Sequence, residues 1–382
     1  MVPNILKTEQ AVMQVPFVDL KVQYHSLKEQ IDASIRRVIE ETAFVGGKYV
    51  KEFEDQFAKK YGVRNCISCA NGTDSLYIIY KMLGIGPGDE VITVANSWIS
   101  SSETITQCGA RPVFVDIEPD YYTIDPQKIE EKITQRTKAI VPVHIYGQVC
   151  DIEKIKAIAD KHGLYLIEDC AQSHFSQFHG KNAGLFGIAA SFSFYPGKNL
   201  GAYGDAGCII TNDDALATKL KMYARHGALV KHEHLIEGIN SRLDSLQAAI
   251  LTIKLEYLDE WTNKRIANAQ VYDELLSDHQ QVITPRVRPN TKHTYHVYEV
   301  RVKKRKELQT FLATAGIETS IHYPTPLPYL KAYEYLGHSP QDFPIAYAYK
   351  DEILSLPMFP EMTKEQINYV VDKINEFYET SA

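Results

Sequence analysis

Short apolar runs rich in β-branched side chains recur along the chain at Val91–Val94, Val113–Val115, Ala139–Val143, Leu164–Ile167, Ala190–Phe194 and Cys208–Ile210. Between them lie stretches with helical spacing, such as Asp151–His162. Continuous apolar runs predict strands buried on both faces, and their alternation with helices predicts an α/β fold, a mostly parallel sheet covered by helices on both sides. After Ala249 the pattern changes. A long helical stretch from Ser241 to about Leu276 leads to an alternating run at Tyr295–Val302, a helix at Arg305–Thr314 and a run at Ile317–Ile321. A smaller α+β unit is predicted there, which divides the chain into a large domain over residues 1–250 and a smaller one over 251–382. Residues 1–14 are expected to be loosely held. No internal repeat or low-complexity segment interrupts the pattern.

Composition narrows the classes. With 382 residues, 45% of them hydrophobic, the chain can bury a large core. A net charge of -7 with scattered basic residues argues against nucleic acid as a partner, and Lys303, Lys304, Arg305 and Lys306 read as a solvated turn or helix start. No apolar stretch is long enough to span a bilayer. The six cysteines, Cys66, Cys69, Cys108, Cys150, Cys170 and Cys208, lie mostly in or beside strand-like runs with no signal peptide ahead of them, so a cytoplasmic location is expected. Cys66 and Cys69 form a C-x-x-C, but no second pair at ligand spacing accompanies it, and no metal is expected.

The candidate chemistry gathers at strand ends. Lys198 follows the apolar run Ala190–Phe194 and a Pro196-Gly197 break, which leaves one lysine at the strand's C-terminal edge. A lysine partly desolvated there loses some of its preference for the ammonium form, as Schiff-base chemistry with a carbonyl requires. Asp169 ends the run that begins at Leu164, with Gln172 and His174 just beyond it. A lysine to hold an aldehyde and an acid to keep a pyridine nitrogen protonated are the two parts that pyridoxal phosphate needs. Gly72 and Thr73 open a helical stretch, where free amides and the helix dipole favour a phosphate. Trp98 follows the run at Val91–Val94 and offers a ring to stack on a flat cofactor.

Gly72-Thr73, Trp98, Glu168-Asp169, Gln172, His174, Ser193, Lys198 and the run from Gly238 to Ala249, in this order, resemble the DegT/DnrJ/EryC1/StrS family. These are pyridoxal-phosphate-dependent nucleotide-sugar aminotransferases of the aspartate aminotransferase superfamily, with the fold type I architecture. The resemblance extends from Phe17 to Met358. It implies Lys198 as the lysine that holds the cofactor aldehyde and Asp169 as partner of the pyridine nitrogen. It places Gln172 near the ring hydroxyl, Trp98 on the ring, and Gly72, Thr73 and Ser193 at the phosphate. Asn240 is expected to reach the phosphate of the neighbouring subunit, making a homodimer with shared sites. Family members that act as dehydratases carry histidine where this chain has Lys198. The family often reads Ser-His-Gly where this chain reads Ser173, His174 and Phe175, so a reshaped turn is expected there.

The reaction implied is transfer of an amino group, with glutamate as donor by resemblance, through pyridoxamine phosphate to a nucleotide-linked keto sugar. Lys198 serves as the base in both halves. Arg225, His226 and Gly227, with the Ile239–Asp244 run, are similar to family members that act at C3 of the sugar rather than C4. His322 is the candidate contact to sugar or diphosphate from the smaller domain. A sugar dehydratase and a non-catalytic regulator of the same fold are the alternatives. Nucleotide, ring position and stereochemistry are not legible in the sequence.

Overall fold

The computed structural model describes residues 13–380. Of the amino-terminal stretch expected to be loosely held, residues 1–12 lie outside the described residues. Val15, just after it, is fully buried and bridges to Ile317.

The large sheet has seven strands, β1 Asn65–Cys69, β2 Glu90–Val94, β3 Arg111–Val115, β4 Thr137–Val141, β5 Tyr165–Asp169, β6 Ala189–Ser193 and β7 Gly207–Thr211, in the spatial order β1-β7-β6-β5-β4-β2-β3. All run parallel except β7, which is antiparallel to both neighbours. Every residue of β2 and β7 is buried, as their largely apolar or small-residue runs require of strands covered on two faces; Glu90, which opens β2, is paired with Arg136. The helices that cover them include α1 Leu20–Glu40, α2 Gly47–Tyr61, α3 Gly72–Met82, α4 Ser100–Gln107, α5 Ile152–His162 and α6 Asp214–Tyr223. Asn71 caps α3 through its side chain, and α2 and α5 each stop at a left-handed glycine, Gly62 and Gly163.

This topology positions the site. The parallel strands β1, β2, β4, β5 and β6 all point their C-terminal ends at one edge of the sheet. The loops after them, with the start of the reversed β7, therefore meet on one rim, the place where open α/β sheets bind ligands.

Helix α7, Ser245–Leu276, is 32 residues long and leads out of the sheet domain. It starts four residues later than the sequence pattern suggests, because Ser241 is drawn into side-chain bonds with Ala70 and Asp74 and Asp244 bridges back to Val45. Beyond it, β8 Val282–Ile283, β9 Tyr298–Val302 and β10 Ile353–Leu356 form an antiparallel sheet in the order β8-β9-β10. Helices α8 Arg305–Thr314 and α10 Lys364–Thr380 accompany it, whereas α9 Pro344–Tyr349 packs on the large sheet's core, with the Ile345 and Ala346 amides bonded to Asp116. The run at Ile317–Ile321 does not form a regular strand; it contributes only single bridges, at Ile317 and Ser320. Leu251, Leu255 and Leu258 of α7 belong to the core beneath the large sheet, whereas Ala269, Tyr272 and Leu276 belong to a second core with Tyr298, Val300, Leu354 and Leu356. The Tyr272 and Tyr298 rings stack there at 4.8 Å.

Candidate active site

The loops on the rim hold most of the residues singled out in the sequence. Asp169 ends β5 and is buried; its Oδ2 accepts from Ser101 Oγ at 2.9 Å and its Oδ1 from the Ala171 amide at 3.1 Å. Its backbone is pinned as well, with its N–H to the Pro142 carbonyl and its carbonyl to the His144 N–H. Burial pushes the Asp169 carboxyl above its ordinary range, while these two donors and the Lys198 charge pull the other way. Lys198 lies in the turn that follows β6, where its N–H reaches the Tyr195 carbonyl at 2.8 Å. Burial lowers its ammonium to about 8, and attraction to Asp169 offsets part of that. The turn closes when the Ala202 N–H bonds the Phe194 carbonyl, and it needs Gly201, where a Cβ would lie 2.2 Å from the Pro196 carbonyl oxygen.

Gly72 and Ser193 face each other across this rim. A Cβ on Gly72 would stand 2.7 Å from that of Ser193, and one on Gly207 would stand 2.4 Å from the Asn71 carbonyl carbon. The two glycines let the start of α3 sink between β6 and β7. Asn71 already serves the Asp74 and Ser75 amides, at 2.7 Å and 3.2 Å, so the Gly72 and Thr73 amides remain for an anion. The Thr73 hydroxyl pairs with that of Ser100 at 2.7 Å. Trp98 is 59% exposed, and its ring lies 5.7 Å from that of Tyr323. A large ring left this open at a strand end is not a core residue; it faces the opening.

Gln172 is buried and held at both amide atoms: its Oε1 accepts from the Tyr146 amide at 2.6 Å, and its Nε2 donates to Tyr323 Oη at 3.0 Å, which leaves its second N–H free to donate. Tyr146 in turn donates its hydroxyl to the His322 carbonyl. His322 and Tyr323 of the smaller domain are thus tied into the loops after β4 and β5. Neither Tyr146, Tyr323 nor Ser101 was singled out by sequence reasoning. Tyr323 stands beside His322 in a conspicuous His-Tyr-Pro run, and Ser101 lies in a serine triplet just after Trp98, but nothing in either pattern indicates a partner far away in the chain.

Asn240 is exposed, in a stretch fixed on both sides: the Ile239 N–H bonds the Tyr223 carbonyl at 2.8 Å, and Ser241 Oγ holds Ala70 and Asp74. Leu229, Val230, Leu235 and Ile236 precede it, all exposed.

Around Lys198 the imidazoles are held neutral. Burial, reinforced by the Lys198 charge, lowers His174 to about 3 and His322 to about 4, and pushes His296 down as well. His174 is fully buried between Phe192 and Phe194, and neither ring nitrogen makes a well-formed hydrogen bond among the described residues. Phe175 adopts φ 57°, in the left-handed region where the family pattern has glycine. Packing holds this backbone: the Phe175 ring centre lies 4.5 Å from that of Tyr61, whose hydroxyl accepts the Phe175 N–H.

On the other side of β5, Glu168 accepts from the Gly184, Phe186 and Gly187 amides, each at 2.7 Å, and from His144 at 3.0 Å. His144, Glu168 and Cys170 lie close enough together to suggest a metal centre. These hydrogen bonds instead make Glu168 a clamp on the loop before β6. Cys66 and Cys69 are three apart in a strand, so they point to opposite faces and cannot share an ion.

The arrangement combines a lysine poised to lose its proton, a buried acid and an anion cradle on one rim. The family model for DegT/DnrJ/EryC1/StrS aminotransferases matches residues 25–375. The chain is 46% identical over 368 residues to the pleiotropic regulatory protein of Geobacillus stearothermophilus, covering 96% of this chain and 99% of that one. It is 45% identical over 363 residues to the dTDP-3-amino-3,6-dideoxy-alpha-D-galactopyranose transaminase of Aneurinibacillus thermoaerophilus, covering 95% and 99%. Among solved structures, Streptomyces venezuelae DesV in complex with a ketimine intermediate superposes with a TM-score of 0.93 at 38% identity, covering 95% of this chain and 98% of that one. Rim, sequence and superposition agree along nearly the whole length, and the chain belongs to the DegT/DnrJ/EryC1/StrS aminotransferase family.

Proposed function

We propose that this aminotransferase works with pyridoxal phosphate and moves an amino group from L-glutamate to C3 of a nucleotide-linked 3-keto sugar, for amino-sugar and glycan biosynthesis. The observation that carries the reading is Lys198, lowered to about 8 by burial and standing on the same rim as the buried Asp169 carboxyl. The residues present fit the cofactor. The Gly72–Ser193 approach leaves a cradle that a single methyl would fill, and the amides beside it suit a phosphate. Trp98 offers the ring face, Asp169 the acid for the pyridine nitrogen and Gln172 a group for the ring hydroxyl. When bound, pyridoxal phosphate supplies a carbonyl that accepts the amino group and a ring that stabilises negative charge.

The chain does the rest. Lys198 Nζ, short of its usual proton affinity, takes the proton from the donor's α-carbon and later delivers one to C3 of the sugar. The donors Ser101 and Ala171 favour the charged form of Asp169 against the effect of burial, which makes that charge available to the ring nitrogen. Trp98 and Tyr323 border the opening on the solvent side. His322 contacts the sugar or the diphosphate from the smaller domain. The preference for C3 is supported by the name of the Aneurinibacillus transaminase. A homodimer, with Asn240 of the partner subunit at each phosphate, is supported by the exposed apolar stretch before that residue. All six cysteines are free, which suits a reducing cytoplasm.

The name of the Geobacillus relative keeps a regulatory role in view. One assay separates the readings. Incubation of the loaded enzyme with L-glutamate should release one equivalent of 2-oxoglutarate per site, and of a panel of nucleotide-linked 3-keto and 4-keto sugars only the 3-keto members should then be aminated, at C3. A dehydratase would consume sugar without net amine transfer, and a regulator would do neither; either result removes the proposal.

A further inference from the structure

Behind His322 lies a buried carboxyl that no described role uses. Glu299 on β9 is 1% exposed and stands directly opposite Ser355 of β10 in the strand register. Its Oε2 is hydrogen-bonded to Ser355 Oγ, and its Oε1 has no hydrogen-bond partner among the described residues. Ser355 Oγ also meets His322 Nδ1 at 2.7 Å. The three side chains form a line from the interior of the smaller domain to the rim. The His322 ring is stacked on Phe17 at 5.8 Å, which fixes its plane, and its Nε2 has no hydrogen-bond partner among the described residues.

We propose that Glu299 is a positioning residue that acts through Ser355 to fix His322 as the tautomer with its hydrogen on Nε2, so that this histidine meets the substrate as a hydrogen-bond donor. The proposal rests on the reading of His322 as a substrate contact. An ionised carboxylate here would be buried with one hydroxyl and no hydrogen-bonded cation, an arrangement whose desolvation is not repaid. Glu299 is therefore a neutral acid, and burial pushes it in that direction. The acid hydrogen sits on Oε2 and is given to Ser355, because the alternative leaves a bare O–H donor on Oε1, and buried donors go unpaired more rarely than buried acceptors. Ser355 then has one hydrogen left, and the only remaining acceptor in line is His322 Nδ1. The ring, held neutral by burial and by the Lys198 charge, carries its hydrogen on Nε2. An N–H donor suits a sugar hydroxyl or diphosphate oxygen, and a neutral one adds no charge beside Lys198.

The test reads the tautomer and the kinetics separately. In protein labelled with 15N-histidine, with the His322 resonances assigned by their loss in His322→Gln, the parent should show the Nε2–H form, as should Glu299→Gln, whose amide still donates to Ser355. Ser355→Ala and Glu299→Leu should show a mixture of both forms. Kinetically, Ser355→Ala should raise KM for the nucleotide sugar by about 10-fold while the half-reaction with glutamate changes less than about 2-fold, and Glu299→Gln should behave as the parent. An Nδ1–H tautomer in the parent, or a Glu299→Gln enzyme as impaired as Ser355→Ala, overturns the proposal. An unchanged sugar KM in His322→Gln removes the substrate reading beneath it, whereas the resonances judge the relay by themselves.

Discussion

At Lys198, burial and a neighbouring charge act in opposite directions, and burial wins: the ammonium falls from 10.5 to about 8 although Asp169 attracts it. The free amine therefore reaches half population near pH 8 and drops tenfold for each unit below. The rate at which the apo chain forms a borohydride-fixable link to pyridoxal phosphate should rise tenfold per unit up to about pH 8 and then level. Because Asp169 helps to retain the proton, Asp169→Asn should move that midpoint down; a midpoint that stays above 10 in the parent contradicts the environment described. Lys198→Ala should fold with an unchanged Tm and lose at least about 1,000-fold in turnover, checked by 2-oxoglutarate release. Both residues are legible in the sequence because Asp169 ends its strand and Lys198 lies in the turn after its own, so local order alone brings them to the rim. Ser101, Tyr146 and Tyr323 are not, since their roles come from contacts across 68, 26 and 151 positions of chain.

Among the elements, the start of α3 is the most constrained. Gly207→Ala would press a methyl against the Asn71 backbone, which cannot rotate away as a flexible side chain can. A loss of about 1–3 kcal/mol is expected, with a weaker hold on the cofactor as the cradle shifts. Denaturant unfolding and a fluorescence titration with pyridoxal phosphate would measure the two effects. Phe175 balances strain against packing in the turn after β5. Phe175→Ala should cost about 3 kcal/mol through the lost contact with Tyr61, and Phe175→Gly less, because glycine accepts the left-handed backbone. If the alanine variant is the more stable, the positive φ is not a source of strain. The apolar runs gave six of the seven strands of the large sheet to within two residues at each end, as with β4, expected at Ala139–Val143 and found at Thr137–Val141, and they missed β1. The start of α7 was less legible: helical spacing runs through Ser241, and only a tertiary clip takes that residue out of the helix.

For the whole molecule, the proposed shared sites can be examined by complementation. Chains carrying Lys198→Ala and chains carrying Asn240→Ala, each impaired alone, should recover substantial activity when mixed, since one site of the mixed dimer then holds neither defect. No recovery, or a fully active monomer by light scattering, speaks against shared sites. At this level only the resemblance to a family suggests shared sites, because an interface would leave no more than a few exposed apolar side chains as its trace in the residue pattern. Helix α7 carries a different implication for how the protein moves. At about 1.5 Å per residue it is a beam of roughly 48 Å, embedded in both cores and crossing position 250 without a break. A joint at that position would have to snap a helix. Heating should therefore melt both lobes in a single calorimetric transition rather than two.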